Sequence, residues 1–231
     1  MTDSQIRTGS RSERDLPSGL ALAAAAPLSV AIMSRHPTIS AHEPAARLAE
    51  AAAEADASRL VHGSIIALSV VLVTGFLGFA HRFGARRPNV RSGLLCYIAG
   101  SLAFAGAAVL DGFVAPGLAA RFASADAAEV NAVLPVIASN TQLNRALALQ
   151  GMLAFAAAAM LWSSTLLRQP GVWRWLGIAG LLLGGWAVTT CVTQGFTFPR
   201  SRFRTFVLLY LAWTCGLGIA MAVSPRQRRL A

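Results

Sequence analysis

The sequence is poor in charged residues, which make up only 13 % of the 231-residue chain. A soluble globular domain has about a quarter of its residues charged. Hydrophobic residues account for 55 % of the chain, and the mean hydropathy is +0.55. The charges cluster at the ends of long apolar runs, as they do between transmembrane helices. The composition excludes an ordinary soluble domain and predicts an integral membrane protein.

Lysine is absent, since all 20 basic residues are arginine, and we attribute this bias to a GC-rich bacterial genome. The net charge of +10 is typical of nucleic-acid-binding proteins. Here, however, the arginines form short clusters beside apolar runs, where basic residues orient helices in a bilayer. We therefore expect the lipid bilayer, and not nucleic acid, as the partner of these arginines.

Cysteine is scarce, with only Cys96, Cys191 and Cys215, which are far apart and lie within apolar runs. This spacing excludes a disulfide framework and a cysteine metal site. The sequence also lacks a Walker motif, a G-x-S-x-G motif and an H-E-x-x-H motif. We therefore assign no catalytic residue and no cofactor from the sequence.

Five apolar runs are each long enough to cross a bilayer, at residues 60–80, 92–116, 143–167, 172–195 and 205–223. A weaker run at residues 17–34 contains Pro27 and is either a sixth span or a signal-peptide core. The sequence therefore predicts an all-α, polytopic transmembrane helical bundle, with five spans between residues 60 and 223 and a sixth candidate near the N-terminus.

The remaining segments are polar. We predict a disordered cytoplasmic tail at residues 1–16, a periplasmic or interfacial segment at 35–59, and a basic cytoplasmic tail at 224–231. The longest predicted loop covers residues 117–142 and would carry a short helix on the membrane surface. Aromatic residues near the inner ends of the spans predict an interfacial belt, formed by Tyr97, Trp162, Trp173 and Trp175.

The arginines predict the orientation. The connection after the first strong run carries four arginines and no acidic residue, so the positive-inside rule places it in the cytoplasm. Alternation of the spans then puts the C-terminus in the cytoplasm and residues 117–142 outside. With six spans, 12 arginines are cytoplasmic and eight are not. We expect a multi-pass protein of the bacterial inner membrane.

Asp111 is the exceptional residue of the second run. It shares a helical face with Ala99, Ala103 and Ala107, and small side chains let a second helix approach closely. A carboxylate in hydrocarbon is costly and almost always faces protein or a water-filled cavity. The sequence therefore predicts that Asp111 makes a polar contact inside the bundle.

Other polar residues fall in the same outer leaflet in this topology. They predict a ligand-binding cluster that opens to the periplasm, formed by His62, Asp111, Arg145, Gln150, Thr190 and Gln194. Alternatively, Asp111 pairs with Arg145 or His62 only to hold helices together. We predict no metal site, because such sites need three or four ligands and the other histidines, His36, His42 and His81, lie elsewhere in the sequence.

Three functions agree with these patterns. The first is a membrane protein that binds, senses or passes a small ligand through the outer-leaflet cluster. The second is an accessory subunit that docks on a larger complex, or on its own copies, through small-residue helix faces such as Gly180-x-x-x-Gly184. The third is a membrane-embedded enzyme or redox protein that uses His62 and Asp111.

The orientation can be tested with a phosphatase reporter, which is active only outside the cytoplasm. We expect an inactive enzyme when it is fused at Arg86 or at the C-terminus, and an active enzyme when it is fused between residues 117 and 142, because arginine-rich connections stay in the cytoplasm. An active fusion at Arg86 would show that the protein has the opposite orientation in the membrane.

Overall fold

A computed structural model describes residues 15–195 and 199–224 as helices joined by short connections. Of the tails predicted at residues 1–16 and 224–231, residues 1–14 and 225–231 lie outside the described residues. The helices are α1 (Leu16–Met33), α2 (Pro44–Ala53), α3 (Ala55–Phe83), α4 (Pro88–Val109), a π-helical segment (Leu110–Val114), α5 (Ala115–Phe122), α6 (Ala127–Leu166), α7 (Val172–Thr193) and α8 (Arg200–Val223).

Six helical stretches are long and apolar enough to cross a membrane, and the predicted all-α transmembrane bundle is confirmed. Each of the five predicted runs overlaps one of these stretches, but four of the stretches begin 4 to 16 residues before the run, most of all α6, which begins at Ala127 and not at residue 143. The second predicted run lies within a continuous stretch of 35 residues formed by α4, the π-helical segment and α5. The sixth stretch is α1, at the position of the weaker run.

Helix α1 packs against α8 and α3. Its backbone touches that of α8, since a side-chain carbon on Gly19 would lie 2.7 Å from the backbone nitrogen of Ala222. Gly218 of α8 meets Ala23 of α1 in the same way. Leu22, which is completely buried, joins the core that α3 and α8 share. Such backbone contact through small residues is how transmembrane helices associate, so the packing favours a spanning role for residues 17–34.

Aromatic side chains fill the centre of the bundle between α3, α4 and α6. Phe76 stacks on Trp162 with a centroid separation of 4.6 Å and lies 4.3 Å from Tyr97. The belt prediction is wrong for Trp162, Tyr97 and Trp173, which are 0 %, 2 % and 8 % exposed. The indole N–H of Trp162 has a partner inside the bundle, the carbonyl of Val90 at 3.2 Å, and therefore needs no contact with the interface.

The prediction of a long loop at residues 117–142 is also wrong. Helix α5 extends to Phe122, and α6 begins at Ala127, so only residues 123–126 connect them. Asp126 starts α6 with a capping box, in which its carboxylate accepts the N–H groups of Ala128 and Glu129. Helix α6 has 40 residues, which corresponds to about 60 Å, twice the thickness of a hydrocarbon core.

The extra length of α6 supports a layer outside the bundle, which we call the outer cap. It consists of α2, α5 and the first turns of α6. These helices share a small core of their own, formed by Leu48, Ala119, Val130 and Val133. The segment at residues 35–59, predicted to be periplasmic or interfacial, contains α2 and the start of α3, which are separated at Glu54. The outer cap covers the end of the bundle at which Asp111 lies.

The opposite end of the bundle is held by Arg82. Its guanidinium group donates to the carboxylate of Asp15 at 3.2 Å and to the backbone carbonyls of Met221 and Ser224 at 3.2 and 3.1 Å. The same group lies 5.0 Å from the ring of Trp173. Only 6 % of the Arg82 side chain is exposed. One buried cation thus joins the ends of α1, α3, α7 and α8.

Replacement of this cation tests its contribution to folding. We expect Arg82→Met to lower the free energy of unfolding by about 3 kcal/mol, because it removes the buried cation that donates to Asp15 and to two carbonyl groups. The measurement is unfolding of the full-length protein in mixed micelles. Arg86→Met is the control, since Arg86 is exposed and has no ion pair within the described part of the chain. Equal stability of the two variants would contradict this role.

Candidate metal centre

Three side chains from separate segments meet where the bundle joins the outer cap. His62 lies in the third turn of α3, Asp111 in the π-helical segment, and His36 in the connection between α1 and α2. The Nε2 atoms of His62 and His36 lie 3.2 and 3.4 Å from the same oxygen, Oδ2 of Asp111. The three potential ligand atoms lie within 4.8 Å of one another. We call this cluster the His–His–Asp centre.

Both imidazole rings are oriented through their other nitrogen. Nδ1 of His62 lies 2.8 Å from the carbonyl oxygen of Ser58, and Nδ1 of His36 lies 2.7 Å from that of Pro37. A carbonyl oxygen can only accept, so each Nδ1 carries a hydrogen and donates it. Each neutral ring therefore presents the lone pair of Nε2 to Asp111. This is the orientation that histidine adopts when it binds a metal through Nε2.

The electrostatics of the centre require a positive charge between these groups. Two neutral rings in this tautomer would direct two lone pairs at the carboxylate of Asp111, which is repulsive. Either a proton on each Nε2 or one shared cation removes this repulsion. Ligand atoms about 2.1 Å from a tetrahedral zinc ion lie about 3.4 Å apart. The two Nε2–Oδ2 distances of 3.2 and 3.4 Å agree with that separation.

The π-helical segment determines the position of Asp111. Single π-helical turns within α-helices often occur at functional sites. Here the wider turn leaves the carbonyl of Leu110 to accept from the N–H of Ala115, and the amide of Asn140 on α6 donates to the same oxygen at 3.4 Å. The segment therefore rests on α6 at one side while Asp111 faces α3 at the other.

Gly112 allows the close approach of the π-helical segment to His62. A side-chain carbon at this position would overlap the Cβ atom of His62 and would lie 2.9 Å from Nδ1. His62 is consequently buried, with 6 % of its side chain exposed. The contact between these two residues fixes the histidine against the segment that carries the carboxylate.

The connection that carries His36 is held by Glu50 of α2. The carboxylate of Glu50 accepts the N–H of Ala41 at 2.8 Å, and it accepts both the N–H and the hydroxyl of Ser40 at 3.0 Å. The hydrogen bonds from the backbone of Ala41 and then of Ser40 hold the pKa of the Glu50 carboxyl below its usual value. The outer cap thus ties down the segment that brings His36 to the centre.

The His–His–Asp centre is accessible from the outer side. The side chain of Asp111 is 45 % exposed and that of His36 is 26 % exposed. On the inner side, the same helical face continues with Ala107 and Ala103, which are both 6 % exposed. The centre is therefore partly exposed on the side of the outer cap and closed by small, buried side chains on the side of the bundle.

The structure brings together only two of the predicted site residues, His62 and Asp111. Arg145 and Gln150 are exposed on α6, Thr190 is buried in α7, and Gln194 is exposed just after α7. Within the described residues, no hydrogen bond or ion pair joins Arg145, Gln150 or Thr190 to the centre. The alternative pairing of Asp111 with Arg145 is therefore not observed, and the carboxylate pairs with two histidines instead.

Sequence reasoning missed His36. It lies in a connection without helical periodicity, 26 residues before His62 and 75 before Asp111. The only feature of the local sequence that points to His36 is that it lies just after the apolar run at residues 17–34. The expectation that His36 lies away from the other two residues is wrong, because the outer cap folds its segment back onto the bundle end. His42 is exposed, and His81 lies in the last turn of α3.

No family model matches this chain, and comparisons with curated proteins and with solved structures found no similar protein.

The contact between Gly112 and His62 can be tested by adding one methyl group. We expect Gly112→Ala to lower the free energy of unfolding by about 1–3 kcal/mol, because the methyl group overlaps His62. Gly117→Ala in α5 is the matched control, because a side-chain carbon there meets no atom within 4 Å. The control should be neutral or slightly stabilising. Unfolding in mixed micelles measures both, and a neutral Gly112→Ala would contradict the close contact.

Proposed function

We propose that this membrane protein binds a divalent transition-metal ion at the outer end of its helical bundle. The ligands are Nε2 of His36, Nε2 of His62 and Oδ2 of Asp111. One observation carries the proposal: both imidazole rings donate Nδ1–H to backbone carbonyls and direct Nε2 at a single carboxylate oxygen. A metal ion satisfies all three groups at once.

The ligand set favours zinc or a similar ion. Imidazole suits zinc, copper, iron and nickel, whereas magnesium and calcium prefer sites built from oxygen atoms alone. Three protein ligands leave one position of a tetrahedral zinc ion for water or an external ligand. The exposed side of Asp111 gives that position access to the outer aqueous phase.

The polarity of the bundle favours binding or sensing over passage of the ion. Among the described residues, His62 is the only Asp, Glu, Arg or His residue that is buried, and Arg145, Arg202 and Arg204 are exposed on α6 and α8 and do not face the interior. Stacked aromatic rings occupy that interior, including Tyr97, Phe155 and Trp162. Routes for ions are usually lined by polar or charged groups.

The location of the site follows from the proposed orientation. If the arginine-rich connections are cytoplasmic, the C-terminus is cytoplasmic too, and the His–His–Asp centre faces the periplasm of a bacterial inner membrane. A three-ligand zinc ion with one open position also occurs in catalytic sites, but no residue here is assigned a catalytic role.

Metal binding can be measured on the full-length protein, purified in a non-ionic detergent with its affinity tag removed. After incubation with ZnCl₂ and removal of free metal, we expect about one zinc per chain. Zinc at 100 times its dissociation constant should also raise the free energy of unfolding by about 2.7 kcal/mol. His36→Gln and Asp111→Asn should abolish both effects, whereas His42→Gln should not, because His42 is exposed and lies outside the centre.

His36→Gln is the decisive variant, since His36 lies in a surface connection and not in a spanning helix. If the parent protein binds no zinc, or if His36→Gln and His42→Gln bind it equally, the proposal is wrong. Asp111 would then serve only to hold the helices together, as in the alternative of an accessory subunit that docks on a larger complex or on its own copies.

A further inference from the structure

A second polar site lies at the other end of the bundle, beyond the inner ends of α4 and α6. It is a cavity of about 240 Å³ with walls from two connections. The start of α4 contributes Arg87, Pro88 and Asn89, and the end of α6 contributes Thr165 and Arg168. A cavity of this volume has room for about eight water molecules, and therefore for a polyatomic group.

The walls of the cavity are closely packed. The indole N–H of Trp162 donates to the carbonyl of Val90, and a side-chain carbon on Gly93 would lie 2.5 Å from the same indole nitrogen. The amide of Asn89 donates to the hydroxyl of Ser164 at 2.7 Å. These contacts join α4 to α6 directly beside the cavity, so its two arginines project from a fixed frame.

The cavity has an unbalanced positive charge. Within the described residues, neither Arg87 nor Arg168 forms an ion pair with an acidic side chain. The only described acidic residue at this end of the bundle is Asp15, and its carboxylate is paired with Arg82. Arg87 is half-buried, which strengthens its interaction with a counter-ion relative to a fully solvated arginine.

Hydrogen-bond donors in the cavity suit an oxyanion. Arg87 is the N-cap of α4 and provides no side-chain cap, so the first-turn amide groups and the positive end of the helix dipole face this region. Thr165 is 5 % exposed, and its hydroxyl has no hydrogen-bond partner in the part of the chain that the structure describes. The hydroxyl of Thr165 lines the cavity together with Arg87 and Arg168 and is available as a donor for a ligand.

We propose that this cavity binds a phosphate group, held by the guanidinium groups of Arg87 and Arg168 and by the hydroxyl of Thr165. Arginine forks match phosphate oxygens, and basic pockets between transmembrane helices on the cytoplasmic side bind the headgroups of anionic lipids. Trp175, which is 71 % exposed, lies in the first turn of α7 at the same end of the bundle, and exposed tryptophans at the ends of spanning helices are typical of the headgroup region. The headgroup of an anionic phospholipid is the source of phosphate that this position favours.

Native mass spectrometry of the full-length protein, titrated with phosphatidylglycerol in detergent, tests the site. We expect one phosphatidylglycerol to be retained per chain, with affinity reduced about tenfold or more in the double variant Arg87→Ala/Arg168→Ala. The control is Arg86→Ala/Arg174→Ala, which removes the same charge from exposed arginines at the same end that do not line the cavity. The control should bind like the parent protein.

A parallel titration with inorganic phosphate distinguishes the two sources. Phosphate binding that depends on Arg87 and Arg168, without retention of the lipid, would support the phosphate site but assign it to a soluble ligand. Equal loss in the two double variants would overturn the proposal, because the arginines would then act only as diffuse surface charge. Binding of neither probe to the parent protein would overturn it as well. Zinc binding by each variant, measured separately, shows whether the metal centre remains intact.

Discussion

A carboxylate close to the hydrocarbon region must be compensated by neighbouring groups, and the outer end of this protein is arranged around that requirement. Asp111 receives two imidazole rings, one from α3 and one from a connection outside the membrane. Three features bring these groups together. The π-helical turn positions Asp111, the absence of a side chain at Gly112 lets His62 approach it, and Glu50 anchors the segment that carries His36. The segment that the outer cap holds in place therefore contributes a functional group, because it supplies His36, a partner for Asp111 that the spanning helices do not provide.

The two ends of the bundle each contain a charged side chain close to the hydrocarbon region, and the charge is compensated in a different way at each end. At the inner end, Arg82 is nearly buried and its donors are matched by Asp15, two carbonyl groups and an aromatic face. That group is closed, because each partner belongs to the protein. At the outer end, the carboxylate remains 45 % exposed and the nitrogen lone pairs converge on it. That group is open, and the proposed metal ion or a proton would supply the positive charge that it lacks.

Much of the fold could be predicted because the thickness of a bilayer sets the length of an apolar helix. The α6 boundary could not, since Asn140, Thr141 and Gln142 resemble a loop, whereas in the structure Asp126 caps α6 and Val130 and Val133 pack into the outer cap. Asp111 and His62 could be predicted as partners because both are costly polar residues at the same depth. His36 could not, because its position depends on how the outer cap folds back.

The two histidines of the metal centre differ in how firmly they are held, and this difference bears on function. His62 is fixed from both sides, by Ser58 and by the backbone at Gly112, so its Nε2 is preorganised. His36 belongs to a half-exposed connection whose position depends on hydrogen bonds to Glu50. A metal ion bound by all three residues would join this connection to the spanning helices, so that occupancy of the centre changes how tightly the outer cap is attached. A protein that senses an ion requires such a coupling between ligand and conformation, and a protein that merely stores one does not.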